Sequence, residues 1–123
     1  MTTTNINNLA EELSQFIGTE KYYKISLIPA LVTDGVKYLA DTYECYWLTN
    51  TILIYLHPIY KKQGDLYITL SVNKNHVVTI TAKTLDTNEI VLTKKIKDTC
   101  KLIPTGEVTL YLMQNILLLS TEY

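Results

Sequence analysis

Along this chain the apolar residues recur at a helical period in the first half and at a period of two in the second. From Asn8 to Ile17, Leu9, Leu13, Phe16 and Ile17 stack on one helical face. Asn7 or Asn8 can cap its start, Glu11 and Glu12 suit the positive end of the helix dipole, and Gly18 suits the position just past its end. Thr19 to Val32, with Pro29 near its centre, follows no clean period and reads as an extended or looping segment packed on the core. Thr33-Asp34-Gly35 opens a second helix carrying Val36, Leu39, Ala40 and Tyr43, with a break over Asp41 to Glu44. A third helical run starts near Cys45 and carries Tyr46, Trp47, Leu48, Ile52, Tyr55 and Leu56. Pro58 is expected to stop it at about His57, because proline disfavours helix in the residue before it. The run Ile52-Leu53-Ile54-Tyr55 is rich in β-branched residues and leaves a strand as the competing assignment.

After Gly64-Asp65, Leu66, Ile68, Leu70 and Val72 alternate with Tyr67, Thr69 and Ser71, the pattern of a half-buried strand. Asn73 to Asn75 turns the chain into a second strand from His76 to Lys83, and Asp86-Thr87-Asn88 turns it again into a third marked by Ile90, Leu92 and Ile96. Val108, Leu110 and Leu112 begin a fourth strand, and Gln114-Asn115 is short enough for a hairpin into Ile116 to Ser120. The expected fold is α+β, with N-terminal helices packed on one face of a C-terminal antiparallel β-meander of about five strands. One domain covers 1–123, its helical half about 5–62 and its sheet half about 65–120.

Composition narrows the class. At 123 residues, 47% apolar and 19% charged, the chain has one domain's length and a folding composition. A formal net charge of -1 provides no global field to draw in nucleic acid or an anionic membrane. Every basic residue is lysine, so the side chain that pairs phosphate and guanine bidentately is absent. Cys45 and Cys100 are too few for a disulfide framework and read as small buried hydrophobes of a reduced, cytoplasmic protein. Met1 to Asn8 is polar rather than a signal segment, and the longest apolar stretch, Ile52 to Leu56, is far short of the ~20 residues that span a bilayer.

Three stretches resemble an uncharacterised family of small bacterial and mobile-element proteins. They are Phe16-Ile17-Gly18-Thr19-Glu20-Lys21-Tyr22-Tyr23, then Thr33-Asp34-Gly35-Val36-Lys37-Tyr38-Leu39-Ala40-Asp41 followed by Tyr46-Trp47-Leu48, and finally Leu118-Leu119-Ser120-Thr121-Glu122-Tyr123. The chain departs from that family between Lys94 and Pro104, where Lys97-Asp98-Thr99-Cys100 stands in place of a Thr-Asp-Phe turn. The resemblance implies a shared fold and no particular reaction.

Catalytic chemistry finds little support. His57 and His76 sit in no metal-spaced motif; His57 is expected to satisfy a helix-terminal carbonyl and His76 to be exposed. A Cys45–His57 nucleophile pair is three helical turns apart, too far to hydrogen-bond on one straight helix. The glycines Gly18, Gly35, Gly64 and Gly106 are isolated, so no phosphate-cradling loop is present. Lys94, Lys95 and Lys97 lack interleaved aromatics and read as a solvated edge strand rather than a nucleic-acid patch. No metal, cofactor or membrane role is expected.

Two readings remain. Ten of the twelve aromatic residues are tyrosine, and the sheet face opposite the helices gathers Tyr67, Thr69, Ser71, Thr79, Thr81, Thr93, Thr109, Tyr111 and Met113, with Lys83 and Lys95 to one side. That nearly uncharged face is either an ordinary threonine-rich exposed sheet or a surface for a protein partner or self-association. A non-enzymatic interaction protein is the first functional expectation, with a phage- or plasmid-borne antagonist of host defence, of the anti-CRISPR kind, as one setting. The alternative is a small-molecule binder or enzyme with a polar pocket formed by Glu20, Tyr22, Thr33, Asp34, Trp47 and Glu122. Against it, the same carboxylates can serve structure: Asp34 or Thr33 starting a helix, Glu20 satisfying amides after Gly18, Glu122 pairing with a lysine.

Overall fold

The computed structural model describes residues 9, 13, 15–18, 21–24, 28–98 and 102–123. Alternation in the second half produces β3 (Leu66–Val72), β4 (Val77–Thr84), β5 (Ile90–Lys97), β6 (Gly106–Met113) and β7 (Ile116–Leu119). Two strands unforeseen from periodicity, β1 (Tyr22–Tyr23) and β2 (Leu31–Thr33), precede them and make the sheet seven-stranded rather than about five-stranded. Two or three residues are too few to display a period, and both strands exist because neighbours already stand beside them.

The sheet order is β1-β2-β7-β6-β3-β4-β5. A simple meander would have set β6 against β5. Instead β6 pairs along all seven residues of β3, from Leu66 opposite Leu112 to Val72 opposite Gly106. The reason lies in side chains: Leu110 and Leu112 are fully buried and need a central strand, whereas β5 carries Lys94, Lys95 and Lys97 and stays at the edge. β2 runs parallel to β7, the one parallel pair among the described residues, with Val32 opposite Leu117.

Helix α1 (Asp34–Thr42) and helix α2 (Tyr46–Gln63) cover one face. They bury Val36, Leu39, Leu48, Ile52, Leu53 and Leu56 against Ile68, Leu70, Val78, Ile80, Leu110 and Leu117. Leu9 and Leu13 are helical and join this core. The remainder of the Asn8–Ser14 segment lies outside the described residues. The helix does not continue through Ile17, since Phe16 and Ile17 are non-helical and Ile17 is 82% exposed, off the expected apolar face.

Pro58 does not end α2. The helix passes through it to Gln63, and Gly64 stops it at φ 88. Packing outweighs the local cost of proline because Pro58 faces solvent while its neighbours are anchored. His57 is buried, with Nε2 2.7 Å from Asn115 Oδ1, and the Tyr60 hydroxyl accepts the Asn115 N–H at 2.7 Å. Thus His57 serves the β6–β7 turn rather than a terminal carbonyl, and Ile52 to Tyr55 is helical rather than a strand. His76 is half-buried, in a left-handed turn conformation at φ 62. Gln114 and Asn115 form the expected two-residue hairpin, both in the left-handed region at φ 51 and 63.

Cys45 is fully buried, and its Sγ–H donates to the Leu39 carbonyl at 3.4 Å. Burial, with the nearby charge of Asp98 adding to it, pushes the thiol up to about 12. Cys100 lies outside the described residues. In a Cys100→Ser chain, Cys45 is therefore expected to resist a disulfide reagent at pH 8 while folded, its thiolate fraction about a thousandfold below that of a free thiol. The check is colorimetric: rapid labelling of the native chain at the rate of the urea-unfolded one would contradict the burial. Unfolding returns the thiol to its ordinary value near 9.0, so it contributes to stability up to that pH and the contribution is lost as pH rises toward about 12.

Candidate functional site

The chain ends in a 3-10 turn, Ser120–Glu122, that folds back on the start of α1. Glu122 is buried there. Its Oε1 accepts the Thr33 hydroxyl at 2.5 Å and the Leu119 N–H at 3.0 Å, and its Oε2 accepts the Gly35 N–H at 3.0 Å. Thr33 in turn caps α1, its Oγ1 accepting the Val36 N–H at 3.4 Å. A carboxylate beside the first turn of a helix is favoured by the orphan N–H groups and the dipole. Glu122 therefore clasps the last strand to α1 through backbone amides and a hydroxyl.

Beside this clasp, on the sheet face away from the helices, lies a cavity of about 280 Å³. Alternation aims Met113, Ile116 and Leu118 toward it, the reverse of core-facing Leu112, Leu117 and Leu119. Tyr22, Thr33, Gln114, Glu122 and Tyr123 complete its lining. Of the six residues expected to form a polar pocket, Tyr22, Thr33 and Glu122 meet here. Asp34 is instead the first residue of α1, where its Oδ2 accepts the Lys21 N–H at 3.4 Å. Trp47 packs on the core from α2, and Glu20 lies outside the described residues. Ile116, Leu118 and Tyr123 went unrecognised because the cavity depends on β2 lying beside β7, a pairing that periodicity does not encode.

The outer sheet face is laid out in rows. Thr109, Thr69, Thr81 and Thr93 stand opposite one another across four strands, and Ser71 is flanked by Glu107 and Thr79. The next row places Tyr111 opposite Tyr67 and Tyr67 opposite Lys83. The Tyr67 and Tyr111 rings meet edge-on with centroids 5.7 Å apart, and Tyr111 touches Tyr123 at 5.4 Å. These three rings lead from the middle of the sheet to the cavity. Lys83, Lys95 and Lys97 lie at the β4–β5 side of the face.

Other charged groups serve local structure. Lys37 and Asp41 pair at 2.7 Å on exposed α1, and Tyr46 also donates to Asp41. The hydrogen bond from Lys37, then that from Tyr46, holds the Asp41 carboxyl below its usual range. Lys94 lies over the Tyr55 ring at 4.5 Å, packing the edge strand onto α2. Among the described residues no group of three or more His, Cys, Asp or Glu side chains is placed to hold a metal ion. No described helix is long and apolar enough to cross a membrane.

A model of a family of unknown function, DUF6876, matches residues 7–123, and the chain belongs to that family. No curated protein and no solved structure matches it.

Proposed function

We propose that this chain is a non-enzymatic, cytoplasmic interaction module that binds another protein through the outer face of its sheet. The observation behind this reading is the character of that face. Across β3, β4 and β6 this face carries Tyr67, Thr69, Ser71, Thr79, Thr81, Thr109 and Tyr111, the central threonine row being uncharged, with Glu107 beside Ser71, Lys83 beside Tyr67 and Lys95 beside Thr79. Protein interfaces favour tyrosine and disfavour charge at their centres. Tyrosine also offers a large contact area for the loss of only two side-chain rotations. The groups that could do chemistry are engaged elsewhere: His57 with Asn115, Glu122 with Thr33 and Gly35, Cys45 as a buried thiol.

Affinity capture from a lysate of the native host, with a Tyr67→Asp/Thr81→Asp variant beside the parent chain, tests this reading. A partner held by the parent and reduced about tenfold or more in a variant of equal thermal stability is the expected result. If parent and variant retrieve the same proteins, the reading fails. Light scattering on the parent separates self-association from a foreign partner. A mobile-element antagonist of host defence is the setting we propose, on the strength of the family resemblance, and the flanking genes test it.

The second reading, a small-molecule binder, draws support from Tyr22, Thr33 and Glu122 meeting at the cavity. A thermal-shift screen against nucleotides and metabolites tests it: a raised midpoint with any of them favours it, and none would count against it.

A further inference from the structure

The cavity at the β1–β2–β7 corner has its own chemistry. At about 280 Å³ it lies just below the ~300–1,000 Å³ of drug-sized sites and suits one long side chain. Its walls are mostly apolar or aromatic (Met113, Ile116, Leu118, Tyr22 and Tyr123), with the polar Thr33 and Gln114 and one buried carboxylate, Glu122, completing the lining. We propose that this cavity takes a cationic head on an aliphatic stem, an alkylguanidinium or alkylammonium group, supplied in the complex by an arginine or lysine of the protein partner. The assignment of the source rests on the interaction reading above; the cation chemistry does not.

Three alternatives fit the same walls less well. An anion would be brought against the Glu122 carboxylate with no basic side chain among the described lining residues to offset it. A wholly apolar group would desolvate that carboxylate further without compensation. A neutral polar group could hydrogen-bond with Gln114 or the tyrosine hydroxyls but would gain no Coulombic attraction from Glu122. A cation gains the Coulombic attraction of Glu122 and the negative faces of Tyr22 and Tyr123, while its methylene stem lies along Met113, Ile116 and Leu118. Glu122 needs no rearrangement to play this part, because Thr33, Gly35 and Leu119 already fix its carboxylate. Tyr22 and Tyr123 are 51% and 81% exposed, so they can close over a guest without disturbing the core.

The test is an NMR titration of the full chain with n-butylguanidinium and n-butylammonium chlorides, with n-butylurea as the neutral counterpart of the first. Saturable shifts at Tyr22, Met113 and Leu118 are expected, with n-butylurea weaker by about tenfold and Tyr22→Ala or Tyr123→Ala weaker by severalfold. Both substitutions are at exposed rings and are expected to leave the chain folded, with Tyr123→Ala losing only its ring contact with Tyr111. Equal affinity for n-butylurea, or no saturation at about 50 mM of either cation, overturns the cavity assignment. A second arm asks whether the captured partner binds the Tyr22→Ala/Tyr123→Ala chain. A weakened complex that n-butylguanidinium also displaces supports the arginine or lysine source. If the cations bind but the complex is unaffected, a free organic cation is the occupant and the assignment to the partner is wrong. Loss of the partner only in the Tyr67→Asp/Thr81→Asp chain, with no cation binding, leaves the sheet-face reading standing and removes this one.

Discussion

Replacing Glu122 with alanine is expected to lower the unfolding free energy by about 3 kcal/mol, read from the urea midpoint at unchanged m-value. The carboxylate is only 8% exposed and accepts from the Thr33 hydroxyl, the Gly35 N–H and the Leu119 N–H. Truncation leaves those donors inside the fold with their acceptor gone, and an unsatisfied buried donor costs more than an ordinary hydrogen bond contributes. Glu122→Gln keeps the shape and one carbonyl oxygen, so its loss should be smaller. A Glu122→Ala chain within about 0.5 kcal/mol of the parent would show that the clasp is ornamental.

Gly35→Ala is the second large effect, a loss of about 2 kcal/mol despite alanine's better helix propensity. A Cβ at Gly35 would stand 2.5 Å from Leu119 Cδ1 and 2.8 Å from Glu122 Oε1. The ends of flexible side chains usually yield to such an intrusion. These two do not yield freely, because Leu119 is in the core and Glu122 is tied by three hydrogen bonds. The two changes share the Glu122 carboxylate, so the Gly35→Ala/Glu122→Ala chain should lose less than the sum of the single losses. Full additivity in the double-mutant cycle would mean that the two residues do not press on each other.

What could be read from the sequence depended on the range of each interaction. β3 and β4 were legible almost to the residue because Leu66, Ile68, Leu70, Val78 and Ile80 alternate without a break. The edge position of β5 followed from its lysines. The alignment of Thr69, Thr81 and Thr109 on one face followed from the period alone. The passage of α2 through Pro58 was not legible, since it depends on Asn115, far along the chain, anchoring His57 and Tyr60. The parallel pairing of β2 with β7 was equally hidden, and with it half the cavity lining. Glu122 drew notice as a carboxylate beside Thr121 and Tyr123 in a family-like stretch, but two of its three donors, Thr33 and Gly35, lie far away in the sequence.

The central claim, that the outer sheet face is where a protein partner docks, is tested most directly by photo-crosslinking from that face. A photoreactive phenylalanine analogue at Thr81, in the middle of the threonine row, is compared with one at Lys62, exposed on α2. A discrete crosslinked species is expected from position 81, either with a host protein or with a second copy of the chain, and none from position 62. Crosslinking from position 62 alone, or from neither position at saturating lysate, would contradict it.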